Sequence, residues 1–302
     1  MTSMIAKRVI ITGATGFIGN HLARILISKG VKVFTLVRTG SDLKRIPTGA
    51  IPSEYDGDIS SLISIVSNIK PDVVIHLASC FIARHTHADI NNLLDSNLKF
   101  GLQLMEAMSL AGCVKLINTG TAWQHFENRE NDPVCLYAAT KTAFENLIEY
   151  YVRVKSFEVI TLKLHDTYGP NDTRGKLINL LLSAALNGTD LDLSPGEQKI
   201  NLVYIDDVVN AFLTAMEHFK EMKPGSHLRY MVASDHPMSI KEMVHIVEQT
   251  IEKKVHANWG ARNYRDREVF IPATFYPTLP DWNPFVGLSQ GIKLICDSMS
   301  DV

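Results

Sequence analysis

A phenol and an ammonium stand four residues apart in Tyr137-Ala-Ala-Thr-Lys141. On a helix, residues i and i+4 share one face, with Cβ atoms about 5–6 Å apart. A nearby Lys⁺ stabilises a phenolate and lowers the tyrosine pKa. The pair could then trade a proton with a carbonyl or carbinol oxygen near neutral pH. The spacing occurs twice, because Tyr151-Val-Arg-Val-Lys155 repeats it. Position separates the copies. Tyr137 opens a helix directly after a strand and its hydroxyl-bearing loop. Tyr151 falls at the end of that helix, where Lys155 is most simply solvated. The chemistry is assigned to Tyr137 and Lys141, and the second copy is read as structural.

Glycines at 13, 16 and 19 form a second constellation. They follow a buried apolar strand and open an amphipathic helix. Glycines so placed allow a tight turn, close approach of a pyrophosphate, and close packing of helix on strand. The helix N-terminus adds free N–H groups and a partial positive charge. The cradle comprises Thr12, Gly13, Gly16, Phe17, Ile18 and Gly19. The end of the next strand selects the dinucleotide, since an NAD site places a carboxylate there for the ribose 2′-OH. This chain has Leu36-Val37-Arg38-Thr39-Gly40-Ser41, with no acid before Asp42. Arg38, assisted by Ser41 and Lys44, suits a 2′-phosphate. NADP(H) is therefore expected, with NAD the weaker alternative. A solvated surface arginine is the plain reading of Arg38.

These groups need a scaffold, and the apolar pattern supplies one. Expected strands at 9–12, 31–37, 73–77, 114–118 and 159–164 alternate with helices. The first helix carries Ile18, Leu22, Ile25 and Leu26 on one face, and a long helix spans 89–111 with Ile90, Leu93, Leu94, Leu98, Met105 and Met108 inward. Further helices fall at 60–69 and 136–151. Such alternation implies parallel pairing through right-handed crossovers. The fold class is α/β, a Rossmann-type doubly wound parallel sheet with a smaller mixed α/β C-terminal lobe. Residues 1–165 form the dinucleotide-binding domain, with 199–222 returning to it. Residues 166–198 and 223–302 form the substrate lobe. A helix is expected at 176–187, a strand at 202–204 and a helix at 206–222, and Ser239-Ile240-Lys241-Glu242 reads as a capping box.

Composition sets outer bounds. The 302 residues are 46% hydrophobic and 21% charged, as in ordinary globular proteins, which excludes disorder as the main content. A formal net charge of -2 leaves no global positive field for nucleic acid or an anionic membrane. No apolar run reaches membrane-spanning length, and residues 1–8 lack a secretory apolar stretch. Cys80, Cys113, Cys135 and Cys296 show no metal-ligand spacing, so no metal is expected and the thiols read as reduced, in a cytoplasmic protein.

The phrase TGATGFIG closely resembles that of the extended short-chain dehydrogenase/reductase family, the sugar-nucleotide epimerases, dehydratases and reductases. The resemblance covers most of the chain and identifies Tyr137/Lys141 with the family's YxxxK. It implies that Asp58-Ile59 contacts the adenine and that Leu77-Ala78-Ser79 lies along the cofactor. It implies a catalytic hydroxyl after the fifth strand, for which Thr121, further out, is preferred and Thr119 is the alternative. It also implies that Asn97 helps position the lysine, whereas a core amide is the plain reading. Family dehydratases follow that hydroxyl with Asp-Glu, and here Ala122-Trp123 stand instead, which argues against water elimination.

In the lobe, Leu164-His165-Asp166-Thr167-Tyr168-Gly169-Pro170 resembles R-x-x-N-V-Y-G-P, with Asp166 replacing the substrate-binding Asn. Gly196 to Val209 resembles G-x-x-R-D-F-I-Y-V-D-D-V, with Ile200 in place of the nucleotide-binding Arg and Lys199 available to substitute. Arg174, Lys176, Arg262, Arg265 and Arg267 are further cations for a diphosphate, each individually readable as a solvated charge. His85 and His87 are read as exposed loop residues. The 196–212 stretch is similar to the CDP-abequose and CDP-paratose synthase group, and Leu279-Pro280-Asp281-Trp282-Asn283-Pro284 to related sugar-nucleotide reductases. The resemblance implies NADPH-dependent reduction of a nucleotide-linked 4-keto-6-deoxy sugar, 3,6-dideoxy included. An NAD(P)-dependent epimerase and a non-catalytic NADP-binding regulator are the alternatives. It further implies a homodimer through a four-helix bundle built from 89–111 and 136–151.

Overall fold

The computed structural model describes residues 6–300; residues 1–5 of the N-terminal reading lie outside them. The chain runs β1 (Arg8–Thr12), α1 (Phe17–Ser28), β2 (Lys32–Arg38), β3 (Ile51–Tyr55), α2 (Ile59–Ile69), β4 (Val73–His76), α3 (Ile90–Leu94), α4 (Phe100–Leu110), β5 (Lys115–Thr121), α5 (Leu136–Lys155) and β6 (Glu158–Leu164). There follow β7 (Asp166–Tyr168), α6 (Leu177–Asn187), β8 (Asp190–Leu193), β9 (Lys199–Ile200), β10 (Leu202–Tyr204), α7 (Ile205–His218), β11 (Ser226–Val232), β12 (Met238–Ser239), α8 (Ile240–Ile251), β13 (His256–Trp259) and α9 (Leu288–Ser300).

Side chains alternate across a strand, so each strand feeds two cores. Val9 and Ile11 of β1 join Leu22, Leu26 and Phe212, from α1 and α7. Ile10 joins Leu62, Leu104, Phe144 and Ile148, from α2, α4 and α5. Burial on both faces explains the continuous apolar runs of these strands. The sheet has seven strands in the order β11-β6-β5-β4-β1-β2-β3, all paired parallel. Strand order reverses at β1, which lies between β2 and β4. That reversal opens a crevice at the carboxyl ends of β1 and β4, the place where open α/β sheets take ligands.

The structure departs from the sequence reading in several places. The helix expected at 89–111 is broken by a π-helical segment, Asp95–Lys99, between α3 and α4. Its wider turn brings Asn97 inward to 2% exposure, while Leu94 is left exposed. Ile25 of α1 is likewise exposed. Helix α5 runs four residues beyond 151 because Tyr151 and Val152 are buried, and Ser156 in the left-handed region ends it. Strand β11, within the segment read as substrate lobe, pairs with β6 and forms an edge of the main sheet. Helix α9 closes the tail.

Two phrases far apart in sequence meet in the lobe. The Asp207 carboxylate accepts from the Phe285 and Val286 amides at 3.0 and 3.2 Å. The Trp282 indole donates to the Asp207 carbonyl at 2.9 Å. Helix α7 also packs on α1, while the Ser239 capping box forms at the start of α8. Among the described residues no disulfide joins the four cysteines, no helix is long and apolar enough to cross a membrane, and no cluster of ligands could hold a metal ion.

Candidate active site

Three cavities join into one cleft along the carboxyl edge of the sheet. The first, about 570 Å³, is lined by Arg38, Ser41, Tyr55, Asp56, Gly57 and Ala78. It shares Gly13, Gly16, Leu77 and Ser79 with a second of about 500 Å³ that holds Tyr137 and Lys141. The second shares Phe81, Trp123, Asp166 and Lys176 with a third of about 380 Å³, which reaches Lys199, Arg265 and Arg267.

The glycine cradle packs backbone too closely on backbone to admit side chains. Gly13 has φ of +75°, and a Cβ there would lie 2.8 Å from the Ala78 nitrogen and 2.9 Å from the Leu77 carbonyl carbon. A Cβ at Gly19 would strike the Gly13 carbonyl oxygen. Helix α1 is thus pressed onto its own turn, with Phe17 and Ile18 facing the second cavity. These residues fit a dinucleotide pyrophosphate at the helix N-terminus.

Two expected cofactor contacts are otherwise engaged. Thr12 is fully buried: its hydroxyl pairs with His76 Nδ1 at 2.8 Å and accepts from the Leu77 and Ala78 amides at 3.1 and 3.0 Å. It braces the loop after β4 and does not line the cleft. Burial, reinforced by the Lys141 charge, pushes His76 down to about 3, so the imidazole is neutral. Asp58 caps α2 by accepting from Ser60 N at 2.7 Å, and neither it nor Ile59 faces the cavity. Asp56 and Gly57 line that cavity, with Asp56 held by the Ser61 hydroxyl at 2.5 Å.

Tyr137 and Lys141 lie one turn apart at the start of α5, in the cavity that Thr119 and Thr121 also line. The expected lowering of the phenol pKa is corrected. Burial pushes Tyr137 up to about 12, opposed by a hydrogen bond with Ser79, so the phenol is protonated at neutral pH. Burial brings Lys141 down to about 8, with the Glu145 carboxylate pulling the other way. The Thr121 hydroxyl accepts from Trp123 N at 3.3 Å, whereas Thr119 Oγ1 is buried with no partner among the described residues. Both hydroxyls remain candidates to hold a substrate oxygen.

Asn97 acts on the neighbours of the lysine. Its Oδ1 accepts from the Ser79 hydroxyl at 3.0 Å and from Cys80 N at 2.8 Å. Its Nδ2 donates to Cys80 O at 3.0 Å and to Thr140 Oγ1 at 2.9 Å. The amide is saturated and ties the Ser79 loop to the catalytic helix, with no bond to Lys141 itself. The second YxxxK copy is structural: Tyr151 is buried and donates to Glu106 at 2.8 Å.

The lobe cations are mostly paired within the protein. Lys176 bonds Asp166 at 2.9 Å, Arg174 is clamped on Asp172, and Arg267 pairs with Asp132. Arg265 stacks 5.1 Å from the Trp123 ring, and Lys199 is exposed. Arg262, His85 and His87 do not line the cleft.

Two groups escaped the sequence reading. Phe81, half exposed, stands edge-on to Tyr137 at 4.9 Å and near Trp123 at 5.6 Å. Nothing local marks a loop phenylalanine as a wall of the cleft. Glu145, Lys163 and Gln124 form a buried polar cluster beneath it. The available signal was Lys163, a lysine inside an all-buried strand that needed a partner.

Known proteins place this geometry. Residues 9–232 match the NAD dependent epimerase/dehydratase family. The chain is 30% identical over 268 residues to CDP-abequose synthase of Yersinia pseudotuberculosis, covering 88% of this chain and 91% of that one. Its fold is similar to UDP-glucose 4-epimerase of Thermotoga maritima, solved with UDP-glucose, at a TM-score of 0.84 and 22% identity over 97% and 99% of the two chains. The Thermus thermophilus UDP-glucose 4-epimerase complex with NAD gives a TM-score of 0.80 at 24% identity, over 97% and 99%. With three quarters of its length matched and its sheet order that of a doubly wound dinucleotide fold, the chain belongs to the NAD dependent epimerase/dehydratase family.

Proposed function

We propose that this protein reduces the 4-keto group of a nucleotide-linked 4-keto-6-deoxy sugar, the 3,6-dideoxy form included, using NADPH. One observation carries the reading: the Tyr137 phenol shares its cavity with Lys141 and two threonine hydroxyls, and no carboxylate follows Thr121. A protonated phenol donates, which is what a carbonyl oxygen accepting hydride requires. The bound nicotinamide would supply that hydride. Tyr137 delivers the proton from its hydroxyl, Thr121 or Thr119 orients the carbonyl oxygen, and Lys141 supplies positive charge beside them. The likeness to CDP-abequose synthase supports the sugar-nucleotide class.

Arg38 and Ser41 line the dinucleotide end of the cleft and would hold the 2′-phosphate of NADP. Asp56 is the carboxylate nearest that role for NAD, its Oδ1 held by Ser61 and Asp58 N, and the Arg38 charge on the same cavity favours NADP. Lys176, Lys199, Arg265 and Arg267, with Asp166, are the proposed contacts to the nucleotide sugar. Cysteines outside any disulfide fit a cytoplasmic setting. The exposed apolar residues of α3, α4 and α5, among them Leu94, Leu110, Tyr150 and Val154, fit a homodimer through a four-helix bundle.

The likeness to UDP-glucose 4-epimerases favours epimerisation as the second reading. A screen of NADPH oxidation against CDP-, GDP-, dTDP- and UDP-linked 4-keto-6-deoxy sugars separates them. Stoichiometric oxidation with one of these supports reduction; inversion of a 4-hydroxy nucleotide sugar with no net change in nicotinamide supports epimerisation. Tyr137→Phe should lower kcat by about 10²–10⁴-fold. Full turnover by that variant would refute the proton-transfer assignment.

A further inference from the structure

Glu145 and Lys163 form an ion pair at 2.6 Å, with side chains only 9% and 1% exposed. Burying two charges costs more than packing apolar side chains of like volume. Stability alone therefore does not call for the pair, and its surroundings suggest what does. Glu145 lies one turn beyond Lys141 on α5. The same carboxylate oxygen that takes Lys163 accepts from Gln124 Nε2 at 2.7 Å. The Gln124 Oε1 accepts from Thr121 N at 2.9 Å, and its Nε2 also reaches Thr142 Oγ1 at 3.3 Å. Gln124 is 1% exposed and bonded at both ends of its amide. A Cβ at Gly120 would lie 2.8 Å from Lys163 Cδ and 3.0 Å from Gln124 Oε1, so the strand end is seated directly on this cluster.

We propose that Glu145, acting through Gln124, is a positioning residue that couples the helix bearing Tyr137 and Lys141 to the strand end bearing Thr119 and Thr121. The phenol and the substrate-holding hydroxyl come from different elements, and a misplacement of one against the other slows proton transfer without weakening binding. Lys163 neutralises Glu145, so the tether adds no net charge beneath Lys141. Arg229 of β11 approaches the second Glu145 oxygen at 3.4 Å and braces it from the sheet edge. The inference rests on the assignment of proton transfer to Tyr137 and its neighbouring threonines.

Two double variants test it, neither stranding a buried charge. Glu145→Leu/Lys163→Met cuts the tether; Glu145→Gln/Lys163→Met keeps an acceptor for Gln124. In the first, kcat should fall by about 10–100-fold with the sugar-nucleotide KM within about threefold. Hydrogen–deuterium exchange over residues 117–124 should rise as well. The second should recover kcat to within about threefold of wild type and restore protection. Equal kcat in both variants, or unchanged exchange in the first, would overturn the tether. Gln124→Met cuts the same chain and carries the same expectations if the first variant does not fold. A wild type that oxidises no NADPH with any substrate of the screen counts against the proposed reduction, and the exchange measurement still decides the tether.

Discussion

Lys141 shows how one residue is set by its surroundings. Burial lowers its pKa to about 8, so the ammonium that supports Tyr137 is present below that pH and lost above it. kcat/KM for reduction should hold between about pH 6 and 7.5 and fall above about 8; Lys141→Arg should carry that limb out of the measurable range. At the other end of the cleft, Arg38→Asp should raise the KM for NADPH by about 10–100-fold while changing that for NADH little, as read by cofactor titration. A similar loss with both cofactors would assign Arg38 to general structure. At this scale much was legible. Tyr137 and Lys141 follow from helical spacing together with their place after the fifth strand, and Gly13, Gly16 and Gly19 from what a tight turn demands. Thr12 and Asp58 make bonds that spacing did not foretell, one to the loop after β4 and the other in a helix cap. Which bonds a polar side chain makes depends on contacts that its own segment does not contain.

Elements were legible wherever burial is periodic. The strands carry apolar side chains to both faces, and the doubly wound order follows from helical crossovers. The π-helical segment was not legible, because apolar spacing across 89–111 fits an unbroken helix, and the wider turn is stabilised by the four hydrogen bonds of Asn97 to distant residues. The joint between α7 and the tail belongs to this scale too. Asp207→Ala would leave the Phe285 and Val286 amides without an acceptor and should destabilise the fold by about 2–4 kcal/mol. Urea denaturation checks this, and Trp282 fluorescence should report the loosened tail at lower denaturant than in wild type.

For the whole molecule, net charge near zero conceals local order. The lobe cations are partnered by Asp166, Asp172 and Asp132, so the cleft offers fixed, paired charge in place of a broad positive field. Exposed apolar side chains gather on α4 and α5, where Leu110 is 61% and Val154 57% exposed. If the proposed dimer forms, replacing Leu110 and Val154 together by Asp should convert it to monomer in light scattering, with cofactor binding kept, because the cleft lies at the carboxyl edge of the sheet. A wild type that runs as a monomer at micromolar concentration would remove the four-helix bundle from the account.

Residue spacing and chain order by themselves determined the sheet-and-helix class, the glycine cradle and the choice of phenol–ammonium pair, because each depends on local pattern and on the order of elements along the chain. Tertiary structure alone decided that burial raises the Tyr137 pKa where spacing implied a lowering, that Asn97 grips the Ser79 loop, and that Glu145 reaches Thr121 through Gln124. Those outcomes depend on burial and on hydrogen bonds between segments brought together by the sheet, and neither is written in any one stretch of the chain.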